Sequence, residues 1–202
     1  MNWLVWLCLG LATSSPAHAH GAMAGGGGFY TGAAHPFLAW DHLLLLLVTG
    51  LLLGRRPNQT ARLPLFCLAV SLLLGLGSET AGLDLQAYPG LVLGLGLVSG
   101  LLLAAGVSPS IAAMSCLAFL TGVSVGLDTD VPLLTAASDL NAYTTYVGVI
   151  AAVFLIVLNM MALSLAVNRP PMTIGLRIAG SWIAAISLMV LTLHFRGLTG
   201  AV

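Results

Sequence analysis

Charge is what this chain has least of. Only 6% of its 202 residues are Asp, Glu, Lys or Arg, against roughly 25% in a water-soluble domain. A soluble globule is excluded on that ground. Lysine is missing altogether, and the six arginines balance six acids to a net charge of zero. No basic patch exists, so nucleic acid is not an expected partner. Cysteine is scarce too: Cys8, Cys67 and Cys116 have no CxxC neighbour, which excludes a disulfide framework or a cysteine zinc site. No GxxxxGK[ST] stretch occurs, so the chain does not hydrolyse nucleotide by a P-loop.

Apolar residues are abundant, at 59% of the chain. With so little charge, they imply a polytopic, all-α membrane helix bundle, with lipid rather than water around the fold. The run Trp3 to Ala12 is too short to cross a hydrocarbon layer of about 30 Å. It ends at TSSP, and Ala17-His18-Ala19 follows as a small-x-small site. Residues 1–19 are therefore expected to be a cleaved signal peptide, with His20 as the first mature residue; cleavage after Ala17 is the alternative. Residues 20–36 read as a glycine-rich extracytoplasmic leader, and 37–202 as a six-helix transmembrane domain. The six apolar stretches run near 37–54, 63–83, 89–107, 110–127, 143–167 and 177–195, each close to the ~20 residues a spanning helix requires.

Arginines set the expected orientation. Arg55, Arg56 and Arg62 occupy the first loop, and Arg169 and Arg177 flank the fifth. The positive-inside rule makes both loops cytoplasmic and the mature N-terminus extracytoplasmic, as a signal peptide also requires. The expected location is a bacterial inner membrane. Glycines recur at small-xxx-small spacing as Gly90/Gly94, Gly96/Gly100 and Gly122/Gly126, which suits close helix packing in lipid. A homo-oligomer is compatible with this pattern.

Ionisable groups inside spans are costly, about 2.5–3.5 kcal/mol at mid-bilayer, which marks them as functional candidates. Asp41 and Glu79 lie within the first and second stretches. Asp41 belongs to HPFLAWDH, where His35 and His42 stand seven apart and so align on one face of a continuous helix. Pro36 suits a first helical turn. The expected topology gathers His20, His35, Asp41, His42, Glu79, Asp128 and His194 at the outer face. Imidazole with carboxylate suits nickel, cobalt, copper or zinc, and an N-terminal His20 could chelate through its amine and ring. His194 reads more readily as an interfacial residue. A Ser–His hydrolase is a remote alternative, since Leu97-Val98-Ser99-Gly100 lacks the first glycine of the GxSG motif of rhomboid-type proteases. No enzymatic activity is expected.

The motif His35-Pro36-Phe37-Leu38-Ala39-Trp40-Asp41-His42, after PAHAHG and before LLLLLVTGLLLG, resembles the HPxxGxDH signature of the HupE/UreJ family. Pro64, Phe66, the glycines before Glu79, and SGLLLA at Ser99 to Ala104 extend the likeness. The resemblance implies a nickel or cobalt permease of the kind that serves nickel hydrogenases and ureases, with the metal as cargo and no tightly bound cofactor. Three features depart from the family pattern. Ala39 stands for glycine, and the fourth-span motif HGxAHGxE is matched by Thr121-Gly122-Val123-Ser124-Val125-Gly126-Leu127-Asp128, with threonine and valine at the histidine positions. An acid the family often shows near span three is also absent, with Gln86 and Tyr88 nearby. The sequence therefore supports a divalent-metal permease using His20, His35, Asp41, His42, Glu79 and Asp128. A non-transporting metal-binding accessory or sensor is the alternative.

Overall fold

The computed structural model describes residues 28–55, 58–80, 89–129, 139–167 and 170–199. The signal-peptide reading and His20 lie outside them. The described residues form seven helices: α1 (Gly28–Leu38), α2 (Trp40–Leu53), α3 (Asn58–Thr80), α4 (Pro89–Ala105), α5 (Ile111–Leu127), α6 (Asp139–Ala166) and α7 (Pro170–Thr199).

The helix ends follow local chemistry. Ser110 caps α5 by accepting a hydrogen bond from the Ala113 amide at 3.2 Å. Pro170 and Pro171 open α7, where a missing N–H costs nothing. Gly106, at φ 75°, ends α4 in a Schellman turn: its amide bonds Leu103 O and the Val107 amide bonds Leu102 O. Two arginines occupy neighbouring carbonyls, Arg55 Nη2 donating to Gly106 O at 3.0 Å and Arg177 Nε to Ala104 O at 2.8 Å.

Helix α2 reads WDHLLLLLVTGLLL, apolar on all sides after its first turn, which is the pattern of a helix surrounded by others. It touches α1, α4, α5, α6 and α7. Its Leu45, Leu46, Val48 and Leu53 are wholly buried, in one apolar cluster with Leu68 and Leu72 of α3, Leu103 of α4, Met114 and Val125 of α5, and Val149, Val153 and Val157 of α6. Around it stand three close pairs, α3 with α5, α4 with α7, and α1 with α6.

Small residues set the register of these pairs. A Cβ on Gly75 would lie 2.8 Å from Gly126 Cα, and one on Gly122 would meet Ser71 and Leu68, so α3 and α5 run in the same direction. A Cβ on Gly100 would lie 2.7 Å from the Ala184 amide, and one on Gly180 2.7 Å from the Ala104 amide, so α4 and α7 are antiparallel. Gly50 abuts Val157 and Gly54 abuts Met161, making α2 and α6 parallel. Arg55 then ties the end of α2 to the end of α4. Taken together, successive helices from α2 to α7 alternate in direction. The expected role of Gly90/Gly94 is corrected at Gly94, which has nothing within 4 Å of its Cβ position.

Among the described residues, three helices are long and apolar enough to cross a membrane: α3, α6 and α7, over Thr60–Ser78, Tyr143–Ala166 and Thr173–Arg196. The pair α1 and α2 qualifies jointly as a fourth, but it is bent by 79°. Helices α4 and α5 are apolar but have only 17 residues each. By length and composition the described residues thus hold three to four candidate spans, three long helices and one broken unit, together with two shorter apolar helices. Large apolar side chains, among them Leu73, Leu74, Leu155, Trp182, Met189 and Leu193, face outward, as a lipid-facing surface requires.

The first stretch departs most from expectation. Helix begins at Gly28 rather than near residue 37, so the last part of the leader is structured and packs on α6. Its close approach is allowed by Gly32 against Thr145 and Gly148 against Phe29. Pro36 sits inside α1 rather than in its first turn. It leaves the carbonyl of Gly32 without its helical donor, which weakens the helix just before the break. The break falls at Ala39, whose ψ of 87° is not helical. Its φ of −80° is open to any L-residue, which explains why alanine serves here without strain.

Candidate metal centre

The two histidines of HPFLAWDH lie on different helices, His35 in the last turn of α1 and His42 in the first turns of α2. The expectation that two turns of one continuous helix align them is therefore corrected. The 79° bend brings them together instead, with ring centroids 6.0 Å apart and planes inclined at 41°. Backbone continuity survives on one side of the bend, through Ala39 N to His35 O at 3.0 Å and Leu43 N to Ala39 O at 2.9 Å.

Asp128 completes the group from α5. It is the C-cap residue of that helix, with φ −90° and ψ 1°, and its amide bonds Ser124 O at 3.3 Å. Its Oδ2 lies 3.6 Å from His42 Nε2. One donor atom from each of His35, His42 and Asp128 falls within 4.8 Å of the others. Ligands about 2.0–2.2 Å from a shared ion stand roughly 3–4 Å apart, so small side-chain rotations close the set on one metal. Burial is graded across it. His42 is fully buried, His35 is half-buried, and the Asp128 side chain is 47% exposed. His42 is thus the innermost donor of the group and Asp128 the outermost.

The charge on Asp128 adds to the argument. A carboxylate at a helix C-terminus faces the negative end of the dipole, unfavourable by about 0.3–1 kcal/mol. A cation held between it and the imidazoles offsets that repulsion. Two imidazole nitrogens and one carboxylate oxygen, with further positions open to water, form a donor set for borderline divalent ions such as nickel, cobalt, zinc or iron(II).

Not every candidate joins. Asp41, in the first turn of α2 and half-buried, is outside the group of three. There it faces the positive end of the helix dipole, which accounts for an acid at that place without a metal. Glu79 lies one turn beyond Gly75 in α3, and because α3 runs parallel to α5 its backbone is at the same end of the bundle as Asp128; its side chain is outside the described residues, as is His20. His194 is near the end of α7, with its ring edge-on to Phe195 at 6.1 Å. Ser99 Oγ is buried without a hydrogen-bond partner, so the Ser–His pair of the hydrolase reading is not formed.

A family model described as HupE / UreJ protein matches residues 7–190. The chain belongs to the HupE/UreJ family. No curated protein and no solved structure matches it. In this HupE/UreJ protein the segment that stands for the fourth-span motif does two things. Its glycines Gly122 and Gly126 seat α5 on α3, and its last residue supplies Asp128 to the histidines.

The same segment holds a feature that motif reading passed over. Thr121 Oγ1 lies 3.4 Å from Thr49 Oγ1 across the α2–α5 contact, and both residues are fully buried. The signal was in the spacing: Thr49 follows His42 by seven residues and Thr121 precedes Asp128 by seven. In antiparallel helices such spacings meet.

Proposed function

We propose that this HupE/UreJ protein is a membrane permease for a divalent transition metal, nickel or cobalt, and that His35, His42 and Asp128 form its entry site. The observation that carries the reading is the convergence of these three donors at one end of the bundle. Family membership supports it, because HupE/UreJ proteins are associated with nickel and cobalt transport.

In this reading α2 to α7 and the broken first unit supply six crossings. The alternating helix directions support that count, and a 17-residue helix of about 25 Å lies at the short end of the spanning range. The end bearing the histidines faces outward, while Arg55 and Arg177, at the opposite end, face the cytoplasm as the positive-inside rule requires. His20 recruits the ion, Asp128 and His35 receive it, and His42, the innermost donor, holds it. Glu79 and Asp41 add negative potential at the mouth.

Purified protein in sealed vesicles, with a metal-sensitive dye inside, tests the proposal. Nickel should enter with the wild-type chain and not with the His35→Ala/His42→Ala double variant. Equal uptake by both rejects the mechanism. Binding without uptake in the wild type selects the accessory or sensor reading, which the absence of imidazole at Thr121 favours.

A further inference from the structure

The contact between α2 and α5 is polar at two levels. At the first, His42 meets Asp128 at 3.6 Å. At the second, about 10 Å further along at 1.5 Å per residue, Thr49 meets Thr121 at 3.4 Å. Ser124 stands between them on α5, three residues from Thr121 and four from Asp128, so all three share a face. Beyond the threonines the same contact becomes apolar. Leu52, Leu53 and Met114 are less than 2% exposed and belong to one cluster.

Accounting for hydroxyl protons shows what this second level offers. Thr121 Oγ1 gives its proton to Leu117 O at 2.9 Å, so Thr49 is the donor between the two threonines. Both oxygens keep acceptor capacity. Ser124 Oγ is buried, 1% exposed as a residue, and has no hydrogen-bond partner. A buried hydroxyl without a partner costs about 1–3 kcal/mol unless water satisfies it, and buried water settles where several such groups converge.

We infer that Thr49, Thr121 and Ser124 form a second station, a hydroxyl-lined site that takes the divalent cation with part of its water shell after it leaves His42. The inference rests on the permease reading and extends it. Hydroxyl oxygens are hard, neutral donors that bind a bare nickel or cobalt ion weakly. They suit a hydrated ion well, since they accept from its water. The station therefore holds the cation loosely, whereas the imidazoles grip it, and a site that must release its ion requires this difference. The leucines beyond it offer no donor and Met114 only a soft thioether, so the station is the last oxygen-lined place on this path before the seam must open.

The experiment uses the full chain in vesicles with nickel as the probe, together with calorimetric nickel binding in detergent. The Thr49→Val/Thr121→Val double variant removes both hydroxyls at nearly constant shape. Nickel affinity should stay within about threefold of wild type, which also certifies the fold, while uptake falls at least about tenfold, the scale of one lost hydrogen bond to a charged group. Thr121→Ser, which keeps the hydroxyl, should retain uptake, and Ser124→Ala should lower it. Unchanged uptake in the double variant, with wild-type uptake present, overturns the station alone. Loss of binding along with uptake assigns the threonines to helix packing and also overturns it. A wild-type chain that binds nickel but never transports it overturns the permease reading, and the station with it.

Discussion

His42 Nε2 and Asp128 Oδ2 stand 3.6 Å apart, the first on a fully buried residue and the second on a side chain 47% exposed. The separation exceeds a hydrogen bond and matches two ligands of a common ion. The purified protein should therefore bind one nickel or cobalt ion per chain at this site. His42→Ala should abolish binding and Asp128→Asn should weaken it at least about tenfold, since even groups that only orient ligands carry 10–100-fold. Calorimetry with metal analysis of the gel-filtered protein measures both. Unchanged affinity in both variants rejects the site.

Binding should also depend on pH in one direction. An imidazole nitrogen coordinates a metal only when it carries no proton, so metal and proton compete for the same lone pairs. Affinity should therefore fall as pH is lowered, because protons displace the metal from the ring nitrogens. Lowering pH from about 7.5 to about 5.5 should raise the nickel dissociation constant at least about tenfold, with proton release on binding at the lower pH. Calorimetry in two buffers of different ionisation enthalpy detects that release. A flat profile removes the histidines from the ligand set.

What the sequence made legible is uneven, for physical reasons. HPFLAWDH stood out because imidazole and carboxylate at the edge of an apolar run are costly, and that cost shows in one dimension. Asp128 was legible from the glycine frame before it. The bend at Ala39 was not, because Pro36 suits a helix start, and only the packing of α1 on α6 reveals that helix already precedes it. The pairing of Thr49 with Thr121 joins residues 72 apart, and only the antiparallel register of α2 and α5 reveals it. Gly94 and Gly126 share one sequence pattern, yet the first is open and the second pressed against α3. A partner helix is a tertiary fact.

Asp41 and Asp128 offer a crossed test of the dipole argument. Asp41 lies in the first turn of α2 and Asp128 caps the end of α5. Asp41→Asn should lower stability by about 0.3–1 kcal/mol, since it removes a charge that the helix N-terminus favours, and should change nickel affinity by less than about threefold. Asp128→Asn should leave the metal-free protein as stable or slightly more so, while affinity drops. Thermal unfolding in detergent with and without nickel separates the two. If Asp41→Asn costs as much affinity as Asp128→Asn, Asp41 is a ligand and the three-donor set is incomplete.

The α3–α5 contact makes a prediction that links packing to the site. A Cβ on Gly126 would lie 2.7 Å from Leu72 O and 2.9 Å from Gly75 Cα, all backbone atoms that cannot swing aside. Gly126→Ala must push the helices apart, at a cost of about 1–3 kcal/mol for an overfilled contact. Asp128 follows two residues later, so the same shift moves its carboxylate relative to His42 and weakens nickel binding. Gly94→Ala, where nothing lies within 4 Å, should leave both quantities unchanged or raise stability slightly through better helix propensity. Thermal unfolding and calorimetry on the two variants decide the matter. Similar behaviour of the two would mean that α3 does not hold α5 in the register that delivers Asp128 to the histidines.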